Sequence, residues 1–434
     1  MLLHTLKVSV RALRQDAGRT LLMVCALGLG IGAAMTSATV FVGMARNPMA
    51  HKEGRLLIPQ IDNWPEGSPY LEPGEPPKQL TYRDAMALWQ ARKAHRQTIV
   101  YLNTLTIEGV DAPLAPESAG VRFATADFFP MFEATFAYGG GWDAGADTAD
   151  SHVAVISHEL NERAFGGANS VGRHLKAGGV DVTIVGVTDG WRPQPRPYEF
   201  DYDWDHGEDD VFLPVAFGFE QQQRSLNNDC WPSFSGDYDA FKRSECVWLN
   251  LWVEVGSDEE GAQYRAFIDD YVTSQKALAR FPKPANNRLR TVGEWLDARH
   301  AVRPDVRVQA MLSVAFLLVC LVNTVGLLLA KFLSRTREIS VHRALGASRN
   351  QVFLRYLCEA GAIGVCGSVL GLALTFAGTG TMRAMEPALD RLARLDMPMI
   401  GTTILVALVA SLAAGAFPAW RACRMVPAAF LKSE

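Results

Sequence analysis

The side chains able to do chemistry are sparse and unevenly placed along this 434-residue chain. Cys25, Cys320, Cys358, Cys366 and Cys423 fall in or beside long apolar runs, whereas Cys230 and Cys246 stand in the polar middle. In an oxidising compartment such a pair suits a disulfide, closing a loop of about 15 residues and contributing about 3 kcal/mol through the unfolded chain. Two free buried thiols are the alternative. Neither cysteine has a second ligand at zinc-site spacing. His152 and His158, flanking an expected strand-to-helix turn, read as surface histidines.

Residues 198–210, "YEFDYDWDHGEDD", alternate aromatics with acids, a composition that suits a cation such as calcium or a basic cargo. The spacing is not that of an EF-hand, and a solvated acidic loop is the better reading. Gly139, Gly140 and Gly141 lack the lysine of a phosphate-cradling loop and read as a turn. Neither G-x-S-x-G nor H-E-x-x-H occurs. No catalytic, cofactor or metal site is expected, and no nucleic-acid partner.

The elements that carry these residues follow from charge. Residues 46–303 hold 25 Lys and Arg against 38 Asp and Glu, a net of −13; the flanks hold 17 against 8, a net of +9. The flanks also contain four uncharged runs, 20–45, 308–330, 360–382 and 397–420. A helix rises about 1.5 Å per residue and needs roughly 20 apolar residues to cross a bilayer, so each run predicts a transmembrane helix. The first run is too long for a cleaved signal segment.

Basic residues in short loops orient the chain. Thirteen lie in the N-terminal segment, in 331–355 and in the tail, against three in 383–396. Both termini and the 331–355 segment are therefore expected in the cytoplasm, with the acidic domain outside. The expected order is an interfacial helix over 1–19, with Leu6, Val10 and Leu13 on its apolar side, then a first span over 20–45. An exterior α+β domain follows over 46–305, then a second span over 306–332 and a cytoplasmic segment over 333–355. The third span covers 356–382, a short exterior loop 383–396, the fourth span 397–420 and a cytoplasmic tail 421–434. The fold class is thus a membrane protein of four transmembrane helices with a large α+β domain between the first two.

Within that domain, "TYRDAMALWQARKAHR" (81–96) predicts a helix capped by Thr81, and 258–278 predicts another with Tyr264, Phe267, Ile268, Tyr271 and Val272 on its buried side. "VWLNLWVEV" (247–255) alternates with period two and predicts a strand. In 151–167 a strand runs into a helix capped by Ser157 and ended by Gly166 and Gly167. Gly178 and Gly179 suit a hairpin turn, and the proline-rich stretch 62–77 reads as an extended loop. On the first span, Gly28 and Gly32 form a G-x-x-x-G that lets backbones pack closely, against a second copy or against the chain's own helices.

Between the second and third spans stands "SRTREISVHRALGASRNQVF" (334–353). With the flanking "LVNTVGLLLAKFL" and the C-terminal "AGAFPAWRACRMVPAAFLKSE", it resembles the FtsX-like permease domain of the MacB-type ABC transporter superfamily. "RFATADFFPMFEATFAYGGGW", "VAVISHELNERAFGG" and "VGRHLKAGGVDVTIVGV" resemble the MacB-like periplasmic core domain. The resemblance spans essentially the whole chain. It implies a permease half in a bacterial inner membrane, paired with a second permease subunit, identical or different. A separate ABC ATPase dimer would bind ATP and magnesium, and its movement would pass through the helices to the exterior domain.

In that scheme Arg337, Glu338, Ile339, His342, Arg343, Leu345 and Gly346 form a short coupling helix that docks on the ATPase, an apolar helix in a groove rimmed by arginines. Ser340 and His342 depart from the family's usual glycine and arginine. A plain basic segment on anionic lipid is the competing reading. Three functions fit: export of peptides, antibiotics or toxins with an adaptor and outer-membrane channel as further partners; lipoprotein release of the Lol kind; and FtsX-like signalling without transport. The large exterior domain disfavours the last.

Overall fold

The computed structural model describes residues 16–65, 67, 74–148, 151–199, 209–231, 233–335, 341, 346–385 and 397–423. Its backbone divides into two compact units, one of residues 47–301 and one of residues 1–46 with 302–434. The helix α1 (Ala17–Ala45) belongs to the second unit.

The 47–301 unit is built on a mixed sheet of eleven strands. In chain order they begin with β1 (Leu56–Gln60), β2 (Leu80–Thr81), the helix α2 (Tyr82–Gln90), β3 (Arg96–Gly109) and β4 (Glu117–Ala124). The short helix α3 (Phe128–Met131) precedes β5 (Phe136–Gly139), β6 (Val153–Ile156) and the helix α4 (His158–Phe165). Next come β7 (His174–Ala177), β8 (Val180–Thr188), β9 (Asp209–Pro214) and the short helices α5 (Val215–Glu220) and α6 (Tyr238–Arg243). The strand β10 (Val247–Glu254), the helix α7 (Asp258–Ala277), β11 (Arg288–Thr291) and the helix α8 (Val292–Ala298) complete the unit. The strands lie in the order β11-β1-β10-β3-β4-β9-β6-β8-β5, with β2 beside β10 and β7 beside both β3 and β8.

Local chemistry explains the boundaries. Thr81 accepts from the Asp84 amide and starts α2; Ser157 does the same from Leu160 for α4; Ser257 from Glu260 for α7. The helix α2 stops at Gln90, earlier than the 81–96 expected, because Arg92 turns to positive φ and β3 begins at Arg96. Gly178 and Gly179 both take positive φ between β7 and β8, the geometry of a tight hairpin. The alternation in β10 points to one buried face, but every residue of that strand is buried. Paired on both sides, it places Leu249, Leu251 and Val253 in one apolar cluster and Trp252 in another.

The other unit holds α1 together with α9 (Pro304–Ser334), α10 (Arg349–Met385) and α11 (Met397–Cys423). All four are long and apolar enough to cross a membrane. Each is at least as long as the span expected: α10 begins seven residues inside the segment read as 333–355. The apolar centre of this bundle includes Leu27, Ile31, Leu328, Phe332, Tyr356 and Ile363.

Candidate coupling site in the helix bundle

The segment that the sequence singles out leaves α9 at Ser334 and enters α10 at Arg349. Of its candidate coupling residues, Arg337, Glu338, Ile339, His342, Arg343 and Leu345 lie outside the described residues. Gly346 is described and turns at φ +100°, a conformation that glycine adopts without steric cost. Two residues later a capping box starts α10: the Gln351 amide donates to Ser348 Oγ (3.2 Å), and the Ser348 amide donates to Gln351 Oε1 (3.0 Å). The spacing Ser348-x-x-Gln351 is legible in sequence, and it fixes where the chain re-enters the bundle.

Where the segment joins the bundle, the structure gathers charges that sequence reasoning did not pair. Lys331 Nζ lies 2.7 Å from Glu359 Oε1, and the two side chains are 0% and 2% exposed. Lys331 also donates to Thr20 Oγ1 at 3.2 Å, which brings in α1. Arg335 reaches Glu359 at 3.7 Å and Asp16 at 3.6 Å. Phe332 and Tyr356 pack against each other with ring centroids 4.4 Å apart, their planes tilted by 50°. A buried charge without a partner is costly, so this cluster persists only because Lys331 and Glu359 face each other. The sequence carried a signal: Lys331 is the first charge after one apolar run, and Glu359 is the last before the next.

The small residues of the bundle interlock. A Cβ on Gly28 would stand 2.7 Å from Leu370, and one on Gly32 2.7 Å from Leu374. In return, a Cβ on Gly371 would stand 2.8 Å from Ile31, and one on Gly378 2.8 Å from Thr36. Each of α1 and α10 thus supplies both the hollow and the knob. Of the two partners expected for Gly28 and Gly32, a second copy or the chain's own helices, the structure sets α10 of the same chain against both. The helix α11 is joined to α10 in the same way, with Ser411 over Gly364 and Ala360 over Gly415.

In the 47–301 unit the structure joins Cys230 to Cys246 in a disulfide, with Cα atoms 4.2 Å apart. The acidic stretch 198–210 is described only at its ends, and those ends are engaged. Arg122, 2% exposed, binds Glu199 at 2.9 Å and Asp209 at 2.7 Å. Burial alone would raise the Asp209 carboxyl, but Arg122 and Arg196 hold it below the ordinary carboxylate range. Asp210 accepts from Ser157 Oγ and meets Arg163. Among the described residues no cluster of His, Cys, Asp and Glu could hold a metal ion. His152 pairs with Glu220 and His158 faces Glu162, both partly exposed.

Comparison with known proteins gives the same two parts. The description "MacB-like periplasmic core domain" matches residues 20–270, and "FtsX-like permease C-terminal" matches residues 310–427. A macrolide export ATP-binding/permease protein MacB of Rhodospirillum rubrum is 24% identical over 99% of this chain and 60% of its own length. A pyoverdine export ATP-binding/permease protein PvdT of Pseudomonas syringae is 21% identical over 100% of this chain and 60% of its own length. A solved periplasmic region of MacB from Actinobacillus actinomycetemcomitans aligns with 56% of this chain and 91% of that one, at 8% identity and a TM-score of 0.34. The chain spans between 38% and 60% of the length of the first curated relatives it matches. With one family description covering more than half of the chain and the second following in order, the chain belongs to the ABC transporter permeases that join a MacB-like periplasmic core domain to an FtsX-like permease domain.

Proposed function

We propose that this chain is the permease subunit of a MacB-like exporter, with its 47–301 domain on the periplasmic side of a bacterial inner membrane and both termini in the cytoplasm. A second permease subunit completes the membrane unit. An ABC ATPase dimer binds ATP and magnesium and docks on the segment between α9 and α10. Closure of that dimer moves the segment, and the helices carry the movement to the exterior domain, which expels a peptide, antibiotic or toxin through an adaptor and outer-membrane channel.

The observation that carries this reading is the root of the segment. Lys331 and Arg335 just before it and Glu359 just after it converge in one buried cluster that also reaches α1. A plain lipid-binding loop needs surface charge and has no use for such anchoring. The export roles named for the macrolide and pyoverdine relatives support the direction of transport. The test is reconstitution of the full chain in nanodiscs with the ATPase that co-purifies with it. The expected result is ATP hydrolysis stimulated by the permease and lost on Leu345→Asp or Gly346→Val. Coupling unchanged by both substitutions would sink the reading.

A further inference from the structure

The four helices of the bundle are not held alike. Glycines lock α1 to α10 in both directions, and α11 to α10 likewise, so that sliding any of these three along its axis would drive backbone into side chain. The helix α9 is held differently. On α1, Gly30 receives it, through Leu317 and Cys320. The remaining apolar contacts near its start, Val306 with Val40 and Met44, are between deformable side chains. A Cβ on Gly326 of α9 would meet nothing within 4 Å, and Val308, Met311, Leu312, Val319 and Val322 are more than half exposed in the isolated chain. Near its other end Leu328 and Phe332 join the apolar centre with Leu27, Ile31 and Tyr356, and the charged tie beside them is Lys331 to Glu359 and Thr20, backed by Arg335.

Connectivity gives this asymmetry a use. The helix α9 is an unbroken 31-residue rod, about 46 Å long. It is covalently continuous with the 47–301 domain at one end and with the 336–348 segment at the other. We infer that Lys331 and Glu359 form a releasable latch that sets the axial register of α9 against a glycine-locked body of α1, α10 and α11. An ion pair suits that task, because it is specific at contact and breaks in one step once a competing charge or water reaches it. The latch gives the proposed coupling segment its purpose and rests on that reading for its role. The register it sets is a property of the chain alone.

The chain supplies its own reporter. A Cβ on Gly30 would lie 3.0 Å from Cys320 Cβ, and a Cβ on Gly28 would lie 3.0 Å from Leu370 Cβ. Gly30→Cys with native Cys320 therefore reports the register of α9 against α1. Gly28→Cys with Leu370→Cys, and Cys320→Ser, reports α10 against α1. Both are made in a full-length chain with Cys25, Cys358, Cys366 and Cys423 replaced by serine, in nanodiscs, with bridging followed by mass spectrometry during oxidation by copper phenanthroline. Lys331→Met and Glu359→Gln are expected to slow α1–α9 bridging about tenfold and to leave α1–α10 bridging unchanged, with the exchange Lys331→Glu/Glu359→Lys restoring the parent rate. Unchanged α1–α9 bridging in both single variants overturns the inference. So does equal slowing of both pairs, which would mean that the four helices move as one packed body. Neither outcome depends on an ATPase, so failure of the latch is distinct from failure to stimulate hydrolysis.

Discussion

Glu359 is the sole acid in the 37 residues of α10, and it meets Lys331 of α9 at 2.7 Å with both side chains almost wholly buried. The two members of the pair are not equivalent. Removing Lys331 leaves Glu359 with Arg335 at 3.7 Å, whereas removing Glu359 leaves Lys331 with a hydroxyl. Loss of one partner of a buried pair costs about 3–5 kcal/mol. Glu359→Ala is therefore expected near the top of that range and Lys331→Ala below it, read as the loss of unfolding free energy in detergent. Equal losses for the two substitutions would contradict the asymmetry.

Close packing of α1 on α10 makes a second prediction. Gly32→Leu or Gly371→Leu forces a side chain into Leu374 or Ile31, and overpacking of this kind costs about 1–3 kcal/mol. Gly326→Ala, with open space around it, should cost nothing measurable and serves as the matched control. Thermal unfolding of the three variants in one detergent separates the cases. A gain in dimerisation without loss of stability in Gly32→Leu would show that this face packs between copies.

These contrasts show what the sequence could and could not convey. The four membrane helices were legible because a bilayer demands long uncharged runs, and no other constraint produces four of them. Caps such as Thr81 and Ser157 were equally legible, since a side chain that binds an amide three residues on is a local matter. The burial of both faces of β10 was not, because strict alternation of aliphatic residues describes one face and says nothing of Trp252 on the other. Gly28 and Gly32 announced a close approach without naming what approaches. Lys331 and Glu359 lie 28 positions apart on different helices, and each looks like the ordinary charged end of a span until the bundle brings them together.

The disulfide closes the stretch 230–246, which contains the short helix α6, and Cys246 leads directly into the central strand β10. Opening a loop of this size should remove about 3 kcal/mol. Cys230→Ser/Cys246→Ser is expected to lower the unfolding temperature of the full chain and to make the 230–246 amides exchange faster, while α9 and α10 keep their protection. Protection lost evenly from both units would show that the bridge acts on more than its own loop.

Asp147 yields a pH dependence of unusual sign. Its carboxylate accepts from the Ala126 amide at 2.9 and 3.1 Å and from Trp142 Nε1 at 3.3 Å, just before α3. Burial, reinforced by the nearby Asp127 charge, pushes its pKa up to about 6 despite these hydrogen bonds. The folded protein therefore binds this proton more tightly than the unfolded chain, whose carboxyl titrates near 3.8. The stabilisation is complete below 3.8 and is lost as pH rises through about 6, the reverse of a salt-bridged carboxylate. The slope across that window is at most about 1.4 kcal/mol per pH unit. Asp147→Asn keeps an oxygen to accept from Ala126 and cannot ionise. Unfolding temperatures of the two proteins, measured across the window, should converge at its acidic end, with the wild type falling below the variant at neutral pH. Parallel profiles would show that Asp147 titrates alike in the folded and unfolded chains.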